Sequence, residues 1–338
     1  MFRQKGLSLI ELMISIAVGL VLMTGVVQLF LGSRVTFETQ QAVSRVQETG
    51  RMAIEFMAQD IRMAGYRGCS QNVEPVSNLE ASTDYNYDFG FGNEIEGFSA
   101  GGTETHPLGA GVTPVAGSDI LVIRSSGEDS VSIINKVPNN ANFDVPGASN
   151  NECITGQDIC EGDVVMLSDC SQAAIFRIAN IASNNPINVV HSNANFPSGP
   201  RNMSPQLPME FGSGAEIVKM VTSTYYVAPS TVNPGQTSLW KRQFGDSFEL
   251  VEGVETMRLR YGEDTSGNGV PDTYRRHNVV SDWSRVGAVR IELLVRSETD
   301  GVLEEPQPYV FDGADVTPTD RRLRHVFINT IAVRNRLQ

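Results

Sequence analysis

The chain has 338 residues and a formal net charge of −13, with 41% hydrophobic and 19% charged residues. This length allows one large or two ordinary domains with a buried core, and the composition differs from the low-hydrophobicity, high-charge profile of disordered chains. The excess of negative charge repels phosphate backbones, which argues against a body that binds DNA or RNA by electrostatic attraction.

The first element is a membrane-length apolar segment, residues 7–31, with the sequence LSLIELMISIAVGLVLMTGVVQLFL. As a helix it would extend about 37 Å, enough to span a hydrocarbon core. Arg3 and Lys5 precede it and Arg34 follows it, which is compatible with a cytoplasmic N-terminus and an exported body. No small-residue cleavage site follows the apolar run, so we expect the segment to be retained. Glu11 lies inside it, where a charged side chain at bilayer depth costs roughly 2.5–3.5 kcal/mol.

Lys5-Gly6 followed by LSLIELM resembles the class III signal of type IV prepilins and pseudopilins. The resemblance implies that residues 1–6 are a leader peptide, that a prepilin peptidase cleaves between Gly6 and Leu7, and that the new amino group of Leu7 is methylated. Leu7 stands at a position where these families usually have phenylalanine. In such families the glutamate, here Glu11, attracts the N-terminal amine of a neighbouring subunit during filament assembly, which would offset the cost of its charge. A plain signal anchor with an incidental glutamate is the alternative.

An amphipathic continuation of this helix is predicted next. Apolar positions recur at spacings of three and four up to Ala64, whereas charged side chains occupy other faces. Gly65 then predicts a helix stop, and an interruption at Gly32-Ser33 is left open. We therefore expect residues 7–65 to form a long pilin-type helix.

The remainder, residues 66–338, is predicted to be a large antiparallel β-rich domain, which makes the fold α+β. Alternating apolar segments predict strands at 118–124, 163–169, 173–181, 216–228, 239–244, 255–262 and 286–297. The stretch 72–117 has no clear period and is expected to be an irregular insertion packed on the helix.

The body contains four cysteines, Cys69, Cys153, Cys160 and Cys170. They form no CxxC pattern and the four histidines are scattered, so zinc-type ligand spacing is absent from the sequence. In an exported domain an even number favours two disulfides, for which three connectivities exist. We favour Cys153 with Cys160, which closes a small polar loop, and Cys69 with Cys170. Buried free thiols are the alternative.

The segment DTSGNGVPD, residues 264–272, matches the beginning of a calcium-loop pattern, with oxygen side chains at positions 1, 3, 5 and 9 and glycine at position 6. The candidate ligands are Asp264, Ser266, Asn268, Val270 and Asp272. Position 12 is Arg275 where an EF-hand has glutamate, so a site would need another carboxylate such as Glu263 or Asp282. The alternative is a tight turn at Asn268-Gly269 between two strands.

No GxSxG, HExxH, Walker A or GxGxxG pattern occurs in the chain, so nothing in the sequence predicts an enzyme. Apart from calcium, no cofactor is predicted.

Several blocks narrow the resemblance: EFMAQDIRMAGYRGC, LVEGVETMRLRYGEDTSGNGVPDTY, VGAVRIELLVRS and LRHVFINTIAVRNRL. They resemble the PilW group of type IV pilus minor pilins, which is similar to the GspJ-type minor pseudopilins of type II secretion. The resemblance covers most of the chain and is weakest over 72–115. It implies a single-pass inner-membrane protein that enters a surface pilus, at the tip, where it primes filament initiation and presents an adhesin. The implied partners are minor pilins of the PilV, PilX, PilE and FimU types, the major pilin and a PilY-type adhesin.

Two other functions stay open. A GspJ-like pseudopilin that caps a type II secretion pseudopilus would have secretion components as partners. A membrane-tethered binding module or hydrolase would keep Met1 in the mature protein.

Overall fold

The computed structural model describes residues 9–70, 73–80, 93–101, 108, 111–135, 141–182, 185–196 and 199–336. Over these residues the chain forms one long N-terminal helix followed by a body of β-strands. This is the α+β, pilin-like fold expected from the sequence, which is thereby confirmed.

Helix α1 spans Leu9–Met63, 55 residues, and is about 83 Å long at the usual rise per residue. Its buried residues all lie in its second half. Gly65, with a φ of +70°, adopts the left-handed conformation that commonly ends helices. The helix is continuous through Gly32 and Ser33, because a single exposed glycine costs only about 1 kcal/mol and the flanking helix formers outweigh it.

Within the described residues the body contains seventeen strands, numbered in chain order. They are β1 (Val76–Ser77), β2 (Ile95–Ser99), β3 (Asp119–Ser132), β4 (Asn142–Val145), β5 (Val164–Ser168), β6 (Ala173–Arg177), β7 (Asn180–Ala182), β8 (Ile187–Val190), β9 (Glu216–Pro229), β10 (Thr237–Gln243), β11 (Asp246–Glu252), β12 (Val254–Glu263), β13 (Thr273–Arg275), β14 (Val286–Arg296), β15 (Tyr309–Phe311), β16 (Ala314–Val316) and β17 (Arg324–Ala332).

The strands of the described part of the chain form four sheets. The largest has eight strands in the order β1-β6-β5-β9-β10-β11, with β3 also paired to β9 and β2 to β3. A second sheet has the order β13-β12-β14-β17, and two small sheets contain β4-β8-β7 and β15-β16. Pairing is antiparallel except between the two-residue β1 and β6. Each predicted strand segment overlaps an observed strand, and 173–181 overlaps two, β6 and β7.

The main core packs the second half of α1 against both larger sheets. Residues of the helix, of the eight-stranded sheet and of the four-stranded sheet share one buried cluster, represented by Ala53, Met57, Ile61, Leu121, Tyr225, Leu259 and Ile291. The amphipathic pattern read from the sequence therefore faces the body, as expected for a helix with one apolar stripe.

Two contacts fix the helix against the sheets. A Cβ atom at Gly50 would lie 2.2 Å from Cε2 of Phe327 on β17, so only glycine allows this approach. On the other side, Tyr225 of β9 donates a hydrogen bond to Asp60 Oδ2 at 2.7 Å, and Lys241 Nζ lies 2.8 Å from the same oxygen. Burial and then the Asp60 carboxylate raise the pKa of Tyr225, which keeps its hydroxyl protonated as a donor.

A second core, beneath β4-β8-β7, contains a fully buried histidine. The His191 ring lies 5.7 Å from the Phe143 ring and 5.2 Å from the Phe176 ring, centroid to centroid. Among the residues that the structure describes, neither of its nitrogens has a hydrogen-bond partner. Burial lowers the pKa of His191 to about 4, so the ring is neutral at pH 7.

The contact at Gly50 predicts an unusual cost for a small change. Gly50→Ala should lower the free energy of unfolding by about 2 kcal/mol, because the added methyl group has to displace Phe327 in a packed core. Denaturant titration of the full chain in detergent measures this. Gly32→Ala is the matched control, since nothing lies within 4 Å of its added carbon. Equal effects at the two glycines would contradict the contact. It would also be contradicted if adding Phe327→Leu to the Gly50→Ala variant restored none of the lost free energy of unfolding.

Burial of neutral His191 predicts a pH dependence. A histidine whose pKa is lowered by folding contributes full stability above its unfolded pKa of about 6.5 and loses it as the pH falls toward 4, a loss of about 3 kcal/mol. His191→Phe should remove this component, so the variant should lose less free energy of unfolding between pH 7 and pH 4 than the parent protein. His325→Gln, at an exposed histidine, is the control. If the free energy of unfolding fell equally with pH in His191→Phe and in the parent protein, the assignment to His191 would be wrong.

Candidate assembly site

The predicted processing site falls outside the described residues. Gly6 and Leu7 precede Leu9, where the description begins. Glu11 lies in the first turn of α1, and its side chain is exposed. Ser15 Oγ donates to the Glu11 carbonyl oxygen at 2.7 Å, a hydrogen bond within the helix. A carboxylate in this first turn is favoured by the positive end of the helix dipole.

The first half of α1 exposes apolar side chains around its whole circumference. From Leu9 to Phe37 the exposed large apolar side chains range from 47% exposed at Val27 to 76% at Leu9. The most apolar 18-residue stretch has a mean hydropathy of 2.3, and none of it is buried. By length and composition this helix can cross a membrane. A surface of this size needs lipid or other apolar helices around it.

The helix surface becomes polar at Arg34, whose Nε lies 2.9 Å from Glu38 Oε1. From there a groove of about 610 Å³ runs between α1 and the loop that follows β14. Thr39 donates to the Val302 carbonyl at 3.4 Å, and Arg45 pairs with Glu298 at 3.1 Å.

More acids than bases line this groove, so it presents net negative charge beside the helix. The charged lining residues are Glu38, Glu48, Glu252, Glu298 and Asp300 against Arg45 and Arg296. The sequence carries no sign of this groove, because its two walls are more than 200 residues apart in the chain.

The four cysteines form two disulfides, Cys69–Cys170 and Cys153–Cys160, the same two pairs that the sequence analysis favoured. Cys69 lies in a short 3-10 turn directly after α1, and Cys170 lies in the turn between β5 and β6. This disulfide therefore ties the end of the helix to the large sheet. Cys153–Cys160 closes a seven-residue separation within one loop.

The candidate calcium loop is held by its own hydrogen bonds. Asp264 accepts from the backbone N–H groups of Gly267 and Gly269, both at 2.7 Å. Asp272 accepts from Thr265 Oγ1 at 2.6 Å and from Ser266 N at 3.1 Å. For Asp264 desolvation is the largest single effect, but the backbone donors together outweigh it. For Asp272 the Thr265 hydroxyl has the largest effect. The pKa of both carboxyls therefore lies below its usual range.

The two further carboxylates considered for the loop also have partners. Glu263 is buried, accepts from Asp282 N at 2.9 Å and from the Ser281 hydroxyl, and lies 3.5 Å from Arg275. Asp282 accepts from Ser284 N at 2.9 Å and caps a 3-10 turn. Both groups therefore organise the loops between β12 and β14.

Comparison with known proteins gives two family matches. The family described as Type IV Pilus-assembly protein W matches residues 224–335, and the prokaryotic N-terminal methylation motif matches residues 1–27. No curated protein and no solved structure matches the chain.

The two matches fall on the two parts of the fold. The methylation motif covers the start of the apolar helix that holds Glu11. The other match covers the last six residues of β9 and all of β10 to β17, including the whole four-stranded sheet. The motif, the long helix and the C-terminal sheet agree, and the two matches together support a type IV pilus minor pilin of the PilW family.

Proposed function

We propose that the protein primes filament initiation within a minor-pilin complex at the tip of a type IV pilus. The observation that carries this proposal is the division of α1. Its first half is apolar on all sides with Glu11 in the first turn, and only its second half packs on the body. A helix divided in this way suits a membrane before assembly and a cluster of other helices afterwards, because both surroundings are apolar.

Glu11 provides the electrostatic step of assembly in this proposal. Cleavage between Gly6 and Leu7 by a prepilin peptidase creates a new N-terminal amine, which is then methylated at Leu7. In apolar surroundings a lone carboxylate and a lone ammonium group are each costly, and pairing them offsets part of the cost. The Glu11 carboxylate of one subunit therefore attracts the amine of its neighbour, and helices join in register.

The tip location rests on the size and the chemistry of the body, residues 66–338. A bulky body is accommodated most easily at the end of a helical filament, where no further subunit has to stack above it. Two disulfides are consistent with a body that lies outside the cytoplasm, with the N-terminus inside. The proposed partners are minor pilins of the PilV, PilX, PilE and FimU types, the major pilin and a PilY-type adhesin that the complex presents. The role is structural rather than enzymatic.

Mass spectrometry of the N-terminal peptide tests the proposal. Protein is recovered from sheared surface filaments and from membranes, with a peptidase-deficient strain as the control. We expect an N-methylated Leu7 terminus in the filament fraction together with pilus components, and intact Met1 only in the peptidase-deficient strain. Intact Met1 confined to membranes in both strains would contradict processing. Co-recovery of type II secretion components instead would assign the chain to a pseudopilus.

A second prediction concerns Glu11 itself. Glu11→Ala should leave cleavage at Gly6-Leu7 intact but reduce recovery in filaments roughly tenfold, the change that about 1.4 kcal/mol of lost interaction produces. Quantitative mass spectrometry of the filament and membrane fractions measures this ratio. Glu38→Ala, on the same helix outside the apolar half, should have little effect. Normal incorporation of Glu11→Ala would rule out charge pairing.

The 264–272 loop gives a third prediction, which separates a calcium site from a turn. Because loop donors already occupy the Asp264 and Asp272 oxygens, we propose that these side chains shape the turn. Thermal unfolding should then be unchanged by millimolar calcium, whereas Asp264→Ala should lower the melting temperature by a few degrees. A rise with calcium but not with magnesium, abolished by Asp264→Ala, would assign calcium to the loop.

A further inference from the structure

The outer edge of β17 is an open sheet edge. This strand has nine residues, ends the order β13-β12-β14-β17 and pairs with β14 without any register shift. No strand of the described chain pairs with its other edge. A long regular edge presents a row of backbone donors and acceptors to a further strand.

Three other edge strands of the two larger sheets are protected in ways that proteins commonly use. The edge strands β1 and β13 have only two and three residues, and the pairing of edge strand β11 contains a bulge. In contrast, β17 contains no proline and, after Arg324 and His325, no charged or ionisable side chain. Since long, regular and uncharged edges promote association, this edge is suited to a partner.

The outward face of β17 is exposed from Ile328 onward, whereas Arg324 at its start is buried beside Tyr309 of β15. Ile328, Thr330 and Ala332 point to the same side, opposite Glu292, Arg290 and Ala288 of β14. Ile328 is 63% exposed. Beside this row lies an open groove of about 580 Å³, bounded by the 268–271 loop, Tyr274 and the ends of β14 and β17.

Arg290 supplies the positive charge at this surface, and the carboxylate of the neighbouring Glu292 already accepts from Asp312 N at 2.8 Å. Its Nε donates to Thr330 Oγ1 at 3.3 Å, and its guanidinium lies 5.0 Å from the Tyr274 ring centroid, so it borders two residues of the groove. Its neighbours Arg258, Arg260 and Arg276 all pair with Asp312. Among the described ion pairs none involves Arg290, although the chain has 39 acidic and 26 basic residues.

From these features we propose that the edge of β17 docks an extended, acidic segment of a partner protein, which adds to the four-stranded sheet as a fifth strand. The segment's backbone pairs with β17, its apolar side chains cover Ile328 and enter the groove, and a carboxylate pairs with Arg290. An exposed arginine held over an aromatic ring favours such a bidentate carboxylate contact. This docking site rests on the proposed function, since it names the kind of segment by which an assembly partner would hold the body.

Site-specific photo-cross-linking tests the docking site. The full chain carries p-benzoylphenylalanine at Ile328 in cells that form filaments, and adducts are mapped by mass spectrometry. Val232, which is 73% exposed in a turn, is the control position. We expect Ile328 adducts to fall on one extended segment of a different protein, with a carboxylate within two residues. Adducts on helices, on a second copy of this chain, or at no more than the Val232 level would overturn the proposal.

Charge reversal provides the second arm. Arg290→Glu should lower the adduct yield roughly tenfold, as expected for losing a hydrogen-bonded charge pair, and Arg290→Lys should lower it less. Arg201→Glu, an exposed arginine distant in sequence, is the control, and melting temperatures verify folding. Replacing the partner's carboxylate with arginine should restore the yield with Arg290→Glu. An unchanged yield with Arg290→Glu, or no restoration, would refute the acidic contact.

The same samples also show which of the two proposals fails, the docking site or the proposed function. Methylated Leu7 and normal filament recovery without an Ile328 adduct would overturn the docking site alone. Missing processing would overturn the pilus function, whatever the adducts show.

Discussion

One continuous helix in this protein has to satisfy two different surroundings. Over its first half, apolar residues occupy the whole circumference, so contact with water would be unfavourable on every side. Over its second half, only one stripe is apolar, and the body buries that stripe. The body can therefore contact the helix extensively only beyond Val46, and its sheets are arranged around that constraint. Glu11 is the single acidic residue of the apolar half that the sequence contains.

The helix is fixed by contacts on two sides, and each contact belongs to a different sheet. Gly50 meets Phe327 of the four-stranded sheet, whereas Asp60 meets Tyr225 and Lys241 of the eight-stranded sheet. The first contact fixes how close the helix lies, because no side chain separates the backbone from the ring. The second fixes its rotation, because the charged pair and the hydrogen bond require Asp60 to face β9 and β10. The two contacts together hold α1 rigidly on the body.

Local patterns in the sequence predict the helix and the long central strands, but not the edges. The alternation in 216–228 and 286–297 identifies β9 and β14, whose buried and exposed faces differ. Strand β17 is not predicted from the sequence because Val326 and Ile328 on its outer face are apolar, so apolar and polar residues do not alternate clearly along it. Glu11 can be identified from the sequence because it belongs to a short motif of consecutive residues. The acidic groove, the environment of His191 and the position of Arg290 depend on contacts between distant residues, which no local pattern records.

The disulfide between Cys69 and Cys170 also determines how the molecule carries tension. A filament under load pulls on the helix at one end and on the body at the other. Since the disulfide closes residues 70–169 into a covalent loop, that part of the chain cannot lengthen while the bond is intact. Force that enters beyond Cys170 reaches the end of α1 through the bond itself. The chain between the two cysteines, which includes β1 to β5, therefore carries no covalent tension between the helix and the rest of the body.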